Sequence, residues 1–199
     1  LFEAARARAR DAQDRGLLAA TSMNLGNIAT IRGDLQRALS YHRRAVADLR
    51  TLDRPPDLAS ALNNLGLTYT ALKRWDDAGA AYREAVGVCE ATGDVDNEAR
   101  ARGNLAELLV ACGDLEAAGR EGAYALALVD QLADAPTRGE VHRISGVVAR
   151  EAGALEAADR HFAEAERVAR ERHDQLLLAE TAREQADLYR RQSRNRDTL

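Results

Sequence analysis

The stretch ALNNLGLTYTALKRWDDAGAAYREA, residues 61–85, decides the fold. It sets Leu65-Gly66 ahead of Tyr69, breaks at Lys73-Arg74-Trp75, then sets Ala78, Tyr82 and Ala85. Reading outward from it, each landmark returns at a step of 40 residues. Gly66 has counterparts in Gly26, Ala106, Gly146 and Ala186, and Leu65 in Leu25, Leu105, Ser145 and Gln185. Ala78 lines up with Ala38, Ala118 and Ala158, and Ala85 with Ala5, Ala45, Ala125 and Ala165. The column three residues before that last alanine holds Phe2, His42, Tyr82, Gly122 and Phe162. Several columns agreeing in one register, glycine and aromatic columns among them, define an internal repeat.

Each period contains two breaks. The first is Gly33-Asp34-Leu35, Lys73-Arg74-Trp75, Gly113-Asp114-Leu115 and Gly153-Ala154-Leu155. Glycine suits the left-handed conformation that ends a helix, so the Lys73 version is expected to be a slightly strained turn. The second falls at the repeat boundary, where Pro136 precedes Thr137 and Glu140 in capping-box spacing. The pattern predicts helices over 1–12, 17–32, 35–51, 57–72, 75–91, 97–112, 115–131, 138–152, 155–171 and 176–193. A pair of helices this short cannot bury its apolar stripe alone. Small residues in the Gly26 and Ala38 columns let the two helices of a hairpin approach closely. The Phe2/Tyr82/Phe162 and Ala45/Ala85 columns are expected to fill the seam against the next hairpin. Stacked hairpins then share one core and leave a concave groove. The expected fold is all-α, a right-handed α-solenoid of antiparallel helix hairpins.

Composition agrees. Hydrophobic content of 46% and charged content of 30% exclude wholesale disorder. Only 4% of residues are aromatic, which disfavours a large β-sandwich or barrel. The net charge of -4 argues against general nucleic-acid binding, which needs a cationic face. No window approaches the roughly 20 apolar residues that a membrane span requires. Cys89 and Cys112 form neither a disulfide framework nor a zinc spacing, and read as helix residues in a reducing, cytoplasmic compartment. No phosphate-binding glycine loop, HExxH or GxSxG arrangement occurs, so neither an enzyme nor a cofactor is expected. His161 and Glu164 lie one turn apart, but His42, His142, His161 and His173 fall in different helices or loops, and no metal site is expected.

The pattern resembles the tetratricopeptide repeat, whose motif has Leu-Gly, a large residue three on, then alanine, an aromatic and alanine at set offsets. Leu65-Gly66, Tyr69, Ala78, Tyr82 and Ala85 match nearly whole. The other repeats match with departures at Ala29, His42, Ala106, Gly122 and Ser145. The period exceeds the family's usual ~34 residues. It is similar to the longer-helix variety of bacterial signalling and transcription regulators, STAND-type ATPase arrays and kinesin light chain. On this reading residues 1–199 are one array. Residues 1–16 form a half repeat, 17–56, 57–96, 97–136 and 137–175 full repeats, and 176–199 a polar capping helix and tail. The chain begins at Leu1 rather than methionine, so a parent protein continuing upstream is expected. Phe2 would then be exposed and could seek a second copy, giving a homo-oligomer through the array ends.

The resemblance puts ligand contacts on the first helix of each hairpin, at its second, sixth, ninth and thirteenth positions, which share one face. Asn24, Asn64 and Asn104 occupy the sixth positions at successive periods. Asparagine amides both donate and accept, so such a column could hold a peptide main chain or brace neighbouring helices. Asn27 and Asn63 stand beside it, and Arg100 and Arg143 are available for a carboxylate. The fifth positions hold Met23, Asn63, Gly103 and Arg143 in place of the lysine of a chaperone-tail clamp. Glu140, Glu151, Glu180, Glu184 and Asp187 would make the C-terminal groove acidic, either for a basic ligand or as a solvated cap. The expected partner is a protein or peptide segment, bound by a regulatory or scaffolding part of a larger bacterial protein.

Overall fold

A computed structural model describes residues 14–197. In chain order the helices are α1 (Arg15–Ile31), α2 (Leu35–Leu49), α3 (Pro55–Ala71), α4 (Trp75–Thr92), α5 (Val95–Ala111), α6 (Leu115–Asp130), α7 (Arg138–Glu151), α8 (Leu155–Glu171) and α9 (Gln175–Asp197). No strand occurs among the described residues. The starts of these helices fall within two residues of the predicted ones. The expected helix over 1–12, with Phe2 and Ala5, lies outside the described residues.

The breaks inside the hairpins share one geometry. Gly33, Gly113 and Gly153 have φ of 75°, 82° and 80°, and Lys73 takes the same left-handed conformation at 57°. The following residue donates its N–H five residues back, Asp34 to Ala29, Arg74 to Tyr69, Asp114 to Leu109 and Ala154 to Ala149, at 2.9–3.0 Å. This closure satisfies carbonyls that the ending helix would otherwise leave open. Asp34 and Asp114 then cap the next helix by accepting from the N–H of Arg37 (3.2 Å) and Ala117 (3.0 Å). Thr137 departs from expectation. It precedes α7 but makes no side-chain capping bond. Glu140, the other half of the expected box, points its carboxylate at Arg143 instead (2.7 Å).

The chain divides into two compact units, Leu1–Asn97 and Glu98–Leu199, with the division inside α5. In the first unit α1 packs on α2 and α3 on α4, and α2 joins the two hairpins by packing on α3. Ala38, Ala45, Ala78 and Ala85 are wholly buried at these seams. The glycine column explains its own composition. A Cβ at Gly26 would lie closer than 3.0 Å to three atoms of the His42 ring, and one at Gly66 as close to Tyr82. The aromatic column therefore seats each ring on the glycine of its own hairpin. The sequence had placed those rings in the seam to the next one. His42 does both, since its Nδ1 also reaches Thr68 Oγ1 on α3 (2.8 Å).

In the second unit α7 packs on α8, α6 on α7, and α9 on both α8 and α7. Phe162 repeats the ring-on-glycine arrangement at Gly146. Repeat three inverts it. With Gly122 in the ring column there is room for Ala106 in the glycine column, and Ala106, Ala118, Ile144 and Val148 close the space.

Candidate functional site

The face singled out by the sequence is carried by α1 and α3 in the first unit, which touch each other. Its second, sixth, ninth and thirteenth positions are Ala20, Asn24, Asn27 and Ile31 on α1, and Ser60, Asn64, Leu67 and Ala71 on α3. None carries a charge. Asn24, Asn27, Ile31, Leu67 and Ala71 are exposed and Asn64 is half-buried. Asn63, one residue earlier, is buried inside the unit.

A buried imidazole supports this face. His42 is 1% exposed. Its Nε2 lies 3.2 Å from Asn27 Oδ1 and its Nδ1 2.8 Å from Thr68 Oγ1, which also lies 2.9 Å from the Asn64 carbonyl oxygen. Burial pushes the pKa of His42 down to about 4, with a hydrogen bond to the Met23 backbone opposing. It is a neutral polar link between Asn27 on α1 and Thr68 on α3. Sequence reading took His42 only as a departure from the aromatic column. Its hydrogen-bonding role had a signal in the pairing with Thr68, a polar residue on the next first helix.

The corresponding face of the second unit is full of charge. Asn104 is buried and Arg100 half-buried on α5. The Asn column thus runs from exposed at Asn24 through half-buried at Asn64 to buried at Asn104. Arg143 is 5% exposed, and its guanidinium meets Glu140 (2.7 Å), Glu107 (3.2 Å) and Glu180 (3.7 Å). Desolvation works against its charge, but the bonds to Glu140 and the field of Glu107 outweigh it and raise its pKa. The sequence had left Arg143 available to a ligand carboxylate. The structure commits it to three carboxylates of the chain itself.

Arg150, which sequence reading missed, does the same one helical stretch further on. It binds Glu184 (2.8 Å), Glu151 (3.1 Å) and Asp187 (3.4 Å). Arg191 closes the network on Glu151 (2.8 Å) and Asp187 (3.4 Å). The five acids expected to make an acidic groove are therefore each paired with an arginine. Glu180 is the least compensated. Burial and its neighbours Glu140 and Glu107 raise its pKa against the pull of Arg143. A usable signal existed, because these pairs sit close to one period apart: 36 residues for Arg143–Glu107, 34 for Arg150–Glu184 and 40 for Arg191–Glu151. Among the described residues no three His, Cys, Asp or Glu side chains converge as a metal cage. No helix among them is long and apolar enough to cross a membrane.

Helix hairpins with a left-handed break, a ring seated on glycine and buried alanine columns define a class of helical repeat protein. Two tetratricopeptide repeat family models match the sequence, one over residues 57–131 and one over 18–52, together more than half of it. The chain belongs to the tetratricopeptide repeat family. No curated protein matches it. Among solved structures it is similar to BtubC (BKLC) from P. vanneervenii, at 20% identity and a TM-score of 0.75, over 95% of this chain and 80% of that one. Aspartyl phosphate phosphatase F from Bacillus subtilis aligns at 15% identity and a TM-score of 0.76, over 91% of this chain but only 48% of its own length. A Podosopora anserina protein with nearly identical TPR-like repeats of kinesin light chain type aligns at 16% identity and a TM-score of 0.65, over 96% and 90% of the two chains. These likenesses concern the fold.

Proposed function

We propose that the chain is a protein-interaction module that holds an uncharged peptide segment on the α1/α3 face of its first unit. In this reading the forty-residue repeats are its structural units. Asn24 and Asn64 bond the peptide main chain, Ile31 and Leu67 contact apolar side chains, and Asn27 is a third amide held from below by His42. Asn63, Asn104 and Arg143 serve the internal framework, and Arg100, which belongs to the second unit, is no part of this face. The observation that carries the reading is the contrast between first-helix faces. The α1/α3 face is free of charge and offers solvent-facing amides, whereas the second unit's face spends its charges on itself. Desolvating amides and aliphatic groups costs far less than desolvating ions, so the first face suits a neutral segment. We place the module in the cytoplasm, in a larger bacterial signalling or transcription-regulatory protein. The long repeat period and the similarity in fold to the phosphatase from Bacillus subtilis support that setting.

The test is selection from a random peptide library on the full chain and on an Asn24→Ala/Asn64→Ala variant, with circular dichroism confirming equal helicity. Enrichment of uncharged, aliphatic-rich peptides on the parent chain and their loss on the variant is expected. Retention of the same peptides by the variant would falsify the site.

A further inference from the structure

Two histidines that the sequence keeps in separate helices meet in the second unit. His142 on α7 and His161 on α8 place their Nδ1 atoms 3.2 Å apart, with ring centroids 5.4 Å apart and planes tilted by 43°. We propose that His142 and His161 form a two-imidazole binding site for a transition-metal dication of the zinc class, bridging the two helices of one hairpin.

The spacing is that of a chelating pair. Zinc–nitrogen bonds run to about 2.0–2.1 Å, and nitrogens this far apart subtend about 100° at such an ion, close to the tetrahedral angle. Imidazole nitrogen suits zinc, copper and nickel. Metal-free, one ring donates its Nδ1–H to the bare Nδ1 of the other. Binding needs both Nδ1 lone pairs, so the donor ring shifts its proton to its own Nε2 and none is released. Both rings are half-buried, which leaves a path for the ion.

The charged neighbours are balanced. Arg138 on α7 and Arg160 on α8 oppose added positive charge. Asp130 on α6 and Glu164 on α8 favour it. Arg138 is bonded to Asp130 (3.1 Å), and both Glu164 oxygens are held by Arg167 (2.6 and 2.8 Å). Glu164 thus contributes field rather than a bond. Water fills the remaining coordination positions, as in open zinc sites.

The experiment is calorimetric titration of the full chain with zinc chloride at neutral pH, in a Cys112→Ser background because Cys112 is exposed. His142→Asn and His161→Asn should each weaken one zinc equivalent by at least about tenfold. A measurement on the unsubstituted fold runs beside it. The imidazole nitrogen resonances of His142 and His161 should move together along one saturation curve. An isotherm unchanged by both substitutions, or zinc shifting one ring without the other, overturns the proposal.

Discussion

Gly66→Ala tests the packing rule that organises the fold. An alanine in a helix interior normally gains about 0.5–1 kcal/mol over glycine. Here the new Cβ would fall closer than 3.0 Å to three ring atoms of Tyr82. The ring is 1% exposed, and its hydroxyl lies 3.3 Å from Thr70 Oγ1, so it has little room to yield. Restoring ordinary contact requires a shift of roughly 1 Å, and overpacking of that kind costs about 1–3 kcal/mol. The substitution should therefore destabilise by about 1–2 kcal/mol where helix propensity alone predicts a gain. Tyr82→Ala should cost about 3–5 kcal/mol through the cavity it opens. In the double variant the methyl group added by Gly66→Ala enters that cavity, so the pair should be more stable than Tyr82→Ala alone, with a coupling of about 2 kcal/mol. Urea denaturation of the four proteins, with the slope checked for constancy, measures the cycle. Additivity within about 0.5 kcal/mol, or a stabilising Gly66→Ala, would refute the argument.

Acid should weaken the fold through His42. Its folded pKa is about 4 against an ordinary 6.5, so the unfolded chain takes the proton first and stability falls as pH drops below 6.5. The loss from this residue amounts to about 2 kcal/mol between about pH 7 and pH 5, and His42→Phe should remove it from the urea midpoint profile. His142 and His161 act in the same direction and supply the slope that the variant keeps. Lys73→Gly should stabilise by about 0.5–1 kcal/mol, since the left-handed conformation at this turn strains a side chain; a lower thermal midpoint would contradict it. Arg143→Ala leaves Glu107, Glu140 and Glu180 without their shared cation and should cost about 2–3 kcal/mol, the lower range because these acids are partly exposed. Protonating the carboxylates should shrink that penalty, which a repeat denaturation in acid would show.

The hairpins were legible because their causes are local in sequence. A helix ends where a left-handed residue is tolerated, and the Gly33, Gly113 and Gly153 columns announce it. A ring sits where its glycine lies on the facing helix, and the fixed 16-residue offset between Gly66 and Tyr82, or Gly146 and Phe162, encodes that meeting. Even the exception was legible in principle, since Ala106 and Gly122 change together. The candidate site was less so. Register states which helix face a residue occupies, but not how deep that face lies or which way a long side chain turns. Asn24, Asn64 and Asn104 share a register and differ in burial, which register does not encode. Arg143 could reach outward to a ligand or sideways to Glu107, and sequence position alone weighs the two equally. Desolvation decides it. A guanidinium 5% exposed survives only among carboxylates of its own chain. The same reasoning separates the two faces. Where arginines and acids recur near one period apart, a first-helix face binds itself. The first face carries no such pair at Asn24, Asn27 and Asn64, and its polar groups there are amides, that of Asn27 meeting the His42 ring at 3.2 Å.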